Sequence, residues 1–135
     1  MAGDGRWPLR QGILSKLLAQ ASLTALVSTR IYDEVVETPV FPFVVIDTQD
    51  SSEAGDKTNN VQEVVTSIYA WSTYRGYKEV EQILAAVYDA LHNSAPTVSG
   101  YTVMVSMFDN SKEGRDADGI TRWGYTQFRF TLDPA

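Results

Sequence analysis

"VQEVVTSIYAWSTY", residues 61–74, alternates with a period of two and is apolar on both sides. Val61, Val65, Tyr69 and Trp71 fall on one side, and Val64, Ile68 and Ala70 on the other. Successive side chains of a strand point to opposite faces of its sheet. Apolar residues on both faces describe a strand covered on both. Helices are the expected cover on one side. A second subunit is the expected cover on the other, with Tyr69 and Trp71 as candidate interface residues.

The segment that follows supplies the helical cover. "GYKEVEQILAAVYDALHN", residues 76–93, puts Val80, Ile83, Leu84, Val87 and Leu91 on one helical face. Glu79 and Glu81 near its start and His92 near its end suit the helix dipole. Asn93 and Pro96 terminate it. At 1.5 Å per residue the helix is roughly 25 Å long. Towards the N terminus, Pro8 suits a first helical turn. Leu9, Ile13, Leu17 and Ala21 form its stripe, widened by Leu14 and Leu18. Ser22 is the expected cap of a further short turn, Leu23 to Val27.

The other strands are shorter signals. "RIYDEVV" (30–36) is β-branched and is cut off by Pro39 and Pro42, after which "FVVID" (43–47) begins a strand. "YTVMVSMF" (101–108) alternates. In "ITRWGYTQFRFTL" (120–132), Trp123 and Tyr125 share a face while Phe128 and Phe130 take the other, which predicts a bulge near Thr126 and Gln127. The class is α+β: an antiparallel four- to five-stranded sheet with two helices packed on one face, in the order α-β-β-β-α-β-β. A length of 135 residues predicts one domain over 1–135.

Composition excludes several functions. The net charge of −6 gives no drive to coat DNA, since that binding comes from Lys and Arg releasing counterions from phosphates. With no cysteine there is no disulfide, thiolate zinc site or cysteine nucleophile. His92 is the only histidine, so a His-rich metal site cannot form within one chain. The stretch Ile13 to Val27 is interrupted by Lys16, Gln20, Ser22 and Thr24 and is too short to span a bilayer, and "MAGDGRWP" does not read as a secretory signal.

Two polar segments remain. "DTQDSSEAGDKTNN" (47–60) has Ala54 as its only apolar residue and carries Asp47, Asp50, Glu53 and Asp56. It predicts a long loop or hairpin tip, either solvated or ordered on assembly. "RDADGITRWG" (115–124) invites a metal reading. An EF-hand loop started at Asp109 gives Ser111, Glu113 and Gly114 at the third, fifth and sixth positions. Its twelfth position is Ile120, so the closing carboxylate is missing, and the flanks read as strands. The plainer reading makes Asp118-Gly119 the turn of a long polar hairpin connection from Asp109 to Gly119. His92 sits in no nucleophilic setting, and "GDG" at 3–5 is too short to cradle phosphate. No catalytic constellation, cofactor site or metal site is expected.

The ordered series as a whole resembles the tail-completion (tail-terminator) family of long-tailed phages and phage-derived gene transfer agents. "LRQGILSKLLAQASLTALVSTRIYDEV", "FPFVVI", "WS" followed by Gly76 and a helix ending "ALH", and "RDADG" before a final "FRF" carry the resemblance over about residues 9–132. Ser28-Thr29 replaces an expected glycine, and Ala117 an expected proline; both lie in turns. The resemblance implies a hexameric ring at the head-proximal end of the tail tube. Such a ring stops tube polymerisation, joins the neck and lets DNA through without specific binding. The implied partners are further copies of the chain, the tail tube protein and a neck or head-closure protein, with no membrane. The implied place is the tail–neck junction of a virion or gene-transfer-agent particle, assembled in the host cytoplasm. Asp47, Asp50, Glu53 and Asp56 are candidate lumen or assembly-loop residues. A head-closure or stopper protein is the structural rival. A metal-dependent hydrolase using Asp109, Asp116 and Asp118 is the rival of another class.

Overall fold

The computed structural model describes residues 4–53 and 60–134. Its elements are α1 (Arg6–Leu18), α2 (Ala21–Val27), β1 (Ile31–Tyr32), β2 (Phe43–Glu53), β3 (Gln62–Ser72), α3 (Lys78–Leu91), β4 (Thr102–Arg115) and β5 (Arg122–Asp133). The strands form one sheet in the order β1-β2-β3-β5-β4. All neighbours are antiparallel except β1, which joins β2 in parallel through Ile31↔Val44 and Tyr32↔Val45. The α+β class and the expected element order hold. The first helical unit is split, so three helices are present.

The helices share one face of the sheet. Leu9, Ile13 and Leu17 of α1, Leu23 and Val27 of α2, and Val80, Ile83, Val87 and Leu91 of α3 are fully buried. They pack on Val44 and Ile46 of β2, Val64, Ile68 and Ala70 of β3, and Phe128, Phe130 and Leu132 of β5. A period of 3.6 residues meets a period of two in a single core. Asn93 ends α3 with φ +55°, and its N–H donates to the Ser106 carbonyl at 2.8 Å. That bond ties the helix end to β4.

Four local expectations are corrected. Ser22 lies inside α2: Gln20 is the N-cap, and the Gln20 side chain donates to the Ser22 hydroxyl at 2.9 Å. The predicted bulge at Thr126–Gln127 is absent, since β5 pairs with β3 without interruption from Arg122 to Leu132. The irregularities lie instead in the neighbours, between Ile46 and Gln49 in β2 and at Val103/Val105 and Phe108/Asn110 in β4. Residues 47–53 belong to β2 rather than to a loop, because the ladder continues to Glu53↔Gln62. The segment from Asp109 to Arg115 likewise belongs to β4, which shortens the connection to the residues around Asp116–Thr121.

The β2 irregularity has a visible support. Asp47 and Thr48 drop out of the ladder there. The guanidinium of Arg10, on α1, donates to the carbonyls of Ile46 and, at 2.6 Å, Asp47. A backbone that leaves its ladder needs such partners.

A candidate assembly face

The strict alternation of β5 decides what the other face of the sheet carries. Gly124, Thr126, Phe128, Phe130 and Leu132 are buried, while Trp123, Tyr125 and Gln127 are only partly buried. Trp123 and Tyr125 are therefore in phase with the rest of the strand and point away from the helices. Register puts Phe43, Trp71 and Trp123 in one row across three strands, and Val45, Tyr69 and Tyr125 in the next.

The rings of these rows form a continuous belt. Trp123 stacks on Tyr125 at 6.3 Å between centroids and 3° between planes. Tyr125 meets Tyr69 at 5.3 Å, Tyr69 stacks on Trp71 at 6.2 Å, and Trp71 stacks on Phe43 at 6.3 Å. Phe41 and Tyr32 extend the belt past Phe43, at 5.1 and 6.2 Å. Phe43 and Val45 are almost fully buried beneath their neighbours, whereas Tyr69, Trp71, Trp123 and Tyr125 stay partly exposed. Cross-strand aromatic pairs stabilise a sheet. Partly exposed aromatics in a contiguous patch also suit a protein contact.

The belt gives way to polar groups along the same face. The Gln127 amide donates to the Ser67 hydroxyl at 2.9 Å, and Asn110 donates to the Gln127 carbonyl at 2.6 Å. Beyond them Arg129 and Glu63 approach to 3.9 Å. The face thus has an aromatic half and a polar half.

Tyr69 and Trp71 lie on this face as expected, while Phe43, Trp123 and Tyr125 are additions. Their signal was the alternation itself, hidden by the supposed bulge. The acidic residues are brought to one strand but not to one face. Asp47 sits in the β2 irregularity, near enough for its charge to act on Tyr69. The Tyr69 hydroxyl is held above its ordinary range by burial first, then by Asp47 and Tyr125. Asp50 pairs with Val65 on the aromatic side, whereas Glu53 pairs with Gln62 and so takes the helical side. Asp56 lies outside the described residues.

The β4–β5 turn uses its carboxylates structurally. Asp118 accepts from the N–H groups of Ile120 and Thr121, both at 2.8 Å, and from the Thr121 hydroxyl at 2.6 Å. These bonds, the Thr121 hydroxyl first, hold its carboxyl below the ordinary range. Gly119 takes φ +73°, where a side chain would be strained, and its N–H donates to the Asp116 carbonyl at 3.0 Å. Asp109 is roughly 20 Å away along the strand. Among the described residues no three acidic, histidine or cysteine side chains gather to hold a metal. His92 is equally local: its Nδ1 accepts from the Phe108 N–H at 3.1 Å, and its ring stacks on Tyr88 at 4.5 Å.

A sheet with helices on one face and an aromatic belt on the other is the frame of a small α+β subunit with no catalytic constellation among the described residues. The chain belongs to the family of the tail completion protein gp17, whose profile matches residues 11–133. This is a family of structural tail proteins and not of enzymes, so the hydrolase reading falls. The chain is 24% identical over 132 residues to the tail completion protein gp17 of Bacillus phage SPP1, covering 94% of this chain and 97% of that protein. Among solved structures, a chain from the virion of a native gene transfer agent particle superposes with a TM-score of 0.90 at 26% identity, over 98% of this chain and 99% of that one. The structure of bacteriophage SPP1 gp17 superposes at 0.64 and 20% identity over 96% of each chain, a likeness of fold.

Proposed function

We propose that the chain is a tail-completion subunit of a phage or gene-transfer-agent particle. It forms a ring, hexameric by the resemblance, at the head-proximal end of the tail tube. There it caps the tube, meets the neck protein and leaves a lumen for DNA. The observation that carries this reading is the aromatic belt from Phe43 to Trp123 on the sheet face without helices. Family membership supports the tail assignment. The likeness to a chain of a gene-transfer-agent virion supports a place in such a particle.

Charge bears on the lumen. Each subunit brings −6, and a ring multiplies it. Acidic groups facing a channel repel phosphates within about 10 Å at moderate salt, which keeps DNA from sticking. Asp47, at the β2 irregularity, and Asp50, in the polar half of the open face where Val65 pairs with Arg129, are the proposed lumen residues. Particles carrying Asp47→Lys and Asp50→Lys should form normally and deliver DNA more slowly, with the larger defect at low salt. Unchanged delivery at every salt concentration would remove these residues from the lumen. The ring itself is tested by imaging the purified protein with tail tubes.

A further inference from the structure

The outer half of the β2–β3 pairing has a register that its own side chains hardly fix. From Ile46↔Ile68 to Gln49↔Thr66, β2 takes three steps where β3 takes two, so Asp47 and Thr48 together oppose Ser67. One extra residue on one strand is a β-bulge. Beyond it β2 reads Gln49, Asp50, Ser51, Ser52 and Glu53, with no apolar residue. Register is strongly specified where an apolar face must stay buried, and a slip of one residue turns every side chain over.

Loss of the bulge would move each of these residues one place along β3. Thr48 would then oppose Thr66, and Asp50 would oppose Val64. Asp50 would leave the open face and Glu53 would join it. Burial does not oppose the move. Ser51, whose place Asp50 would take, is exposed, and Thr48 would bring a hydroxyl to Thr66 in place of the Gln49 amide.

Two contacts hold the observed register. One is internal: the Gln49 amide donates to the Thr66 hydroxyl at 3.1 Å. The other comes from α1, where the Arg10 guanidinium donates to the carbonyls of both Ile46 and Asp47. In a regular strand successive carbonyls point to opposite edges, so one guanidinium cannot reach both. A bulged backbone turns them to the same donor. The grip of Arg10 therefore fits the bulged strand and not the regular one, and hydrogen bonds from a charged donor are the stronger kind.

We propose that Arg10 is a positioning residue that locks the outer half of the β2–β3 hairpin in its bulged register, and so decides that Asp50, and not Glu53, stands on the open face. What this means for the lumen rests on the ring reading. The register itself does not, and it is read on the free subunit.

The absence of cysteine lets disulfides report the register. Ser52 opposes Glu63 in the observed register, and Ser51 would oppose it without the bulge. Ser52→Cys with Glu63→Cys should cross-link on mild oxidation, and Ser51→Cys with Glu63→Cys should not. Adding Arg10→Met, which keeps an apolar stem and removes the donors, should shift the preference about tenfold towards the second pair, as expected for the loss of a charge-assisted hydrogen bond. Deleting Thr48 removes the extra residue and leaves Gln49 to Glu53 opposite their present partners. In that background Arg10→Met should leave the first cross-link unchanged. Preference for the first pair in the Arg10→Met chain with Thr48 present overturns the proposal. If that chain does not fold, the Thr48-deleted chain decides: folding there supports the lock, and failure there makes Arg10 a packing residue of α1 and overturns it. Arg10→Met particles with the shifted cross-link that deliver DNA at the parent rate would remove the lumen reading and leave the lock standing.

Discussion

Gly114 lies directly opposite Trp123 in the β4–β5 ladder, and the indole fills the space that a side chain at 114 would need. A Cβ there would stand 2.5 Å from Cζ2 of the ring. The outer end of the aromatic belt is therefore set flat by a glycine on the edge strand. Gly114→Ala should tilt or displace the indole, with a stability loss of about 1–3 kcal/mol. The same variant should weaken ring assembly. Denaturant midpoints and sedimentation read the two effects, and an unchanged midpoint would show that the indole moves freely.

Phe43 and Trp71 stack on one another but differ in exposure, so they should fail differently. Phe43 is 2% exposed, and Phe43→Ala should cost about 3–5 kcal/mol of folding stability. Trp71 is partly exposed, and Trp71→Ala should leave a folded subunit that assembles poorly. Circular dichroism with size-exclusion chromatography separates the outcomes. A Trp71→Ala chain that unfolds outright would make the residue core and not interface.

Ser28 has φ +56° and ψ −129° at the exposed C-cap of α2, a conformation that favours glycine. Ser28→Gly should stabilise the fold by about 1 kcal/mol, with no change in assembly. Chemical denaturation measures it. A destabilised variant would mean that the serine side chain contributes more than its backbone strain costs.

Two carboxyls should give opposite pH dependences. Glu113 is held above its ordinary 4.5 by burial first, then by its hydrogen bond with Glu81, so its contribution is full below that value and is lost as pH rises through the raised one. Asp118 titrates below 3.8, so its contribution is present above that value and is lost as pH falls through the lowered one. Glu113→Gln should flatten the first slope, and Asp118→Asn the second. Urea midpoints followed from acid to neutral pH test both, and parallel profiles for parent and variants would contradict the assignments.

The sequence made the helices and central strands legible where one periodicity ran without conflict. The stripe from Val80 to Leu91 and the two faces of 61–74 are found as read. Misreadings occurred where polarity was taken for looseness. Residues 47–53 and 109–115 are mostly exposed polar residues that nevertheless stay in the ladder, the second segment on the edge strand β4. Trp123 and Tyr125 do take the face opposite Phe128 and Phe130, and only the bulge inferred from that arrangement is absent, since an aromatic patch on an open sheet looks in sequence like a phase error. The pairing of Glu81 with Glu113 joins residues far apart in the chain, and no local pattern announces it.

The central claim is that copies of this chain close into a ring through the aromatic face of the sheet. Cryo-electron microscopy of the protein bound to tail tubes measures it most directly. The account predicts one ring at a single end of each tube, with Trp71 and Trp123 covered by protein from a neighbouring subunit. A ring in which both side chains face open solvent, or a chain bound to the tube without closing a ring, would contradict it.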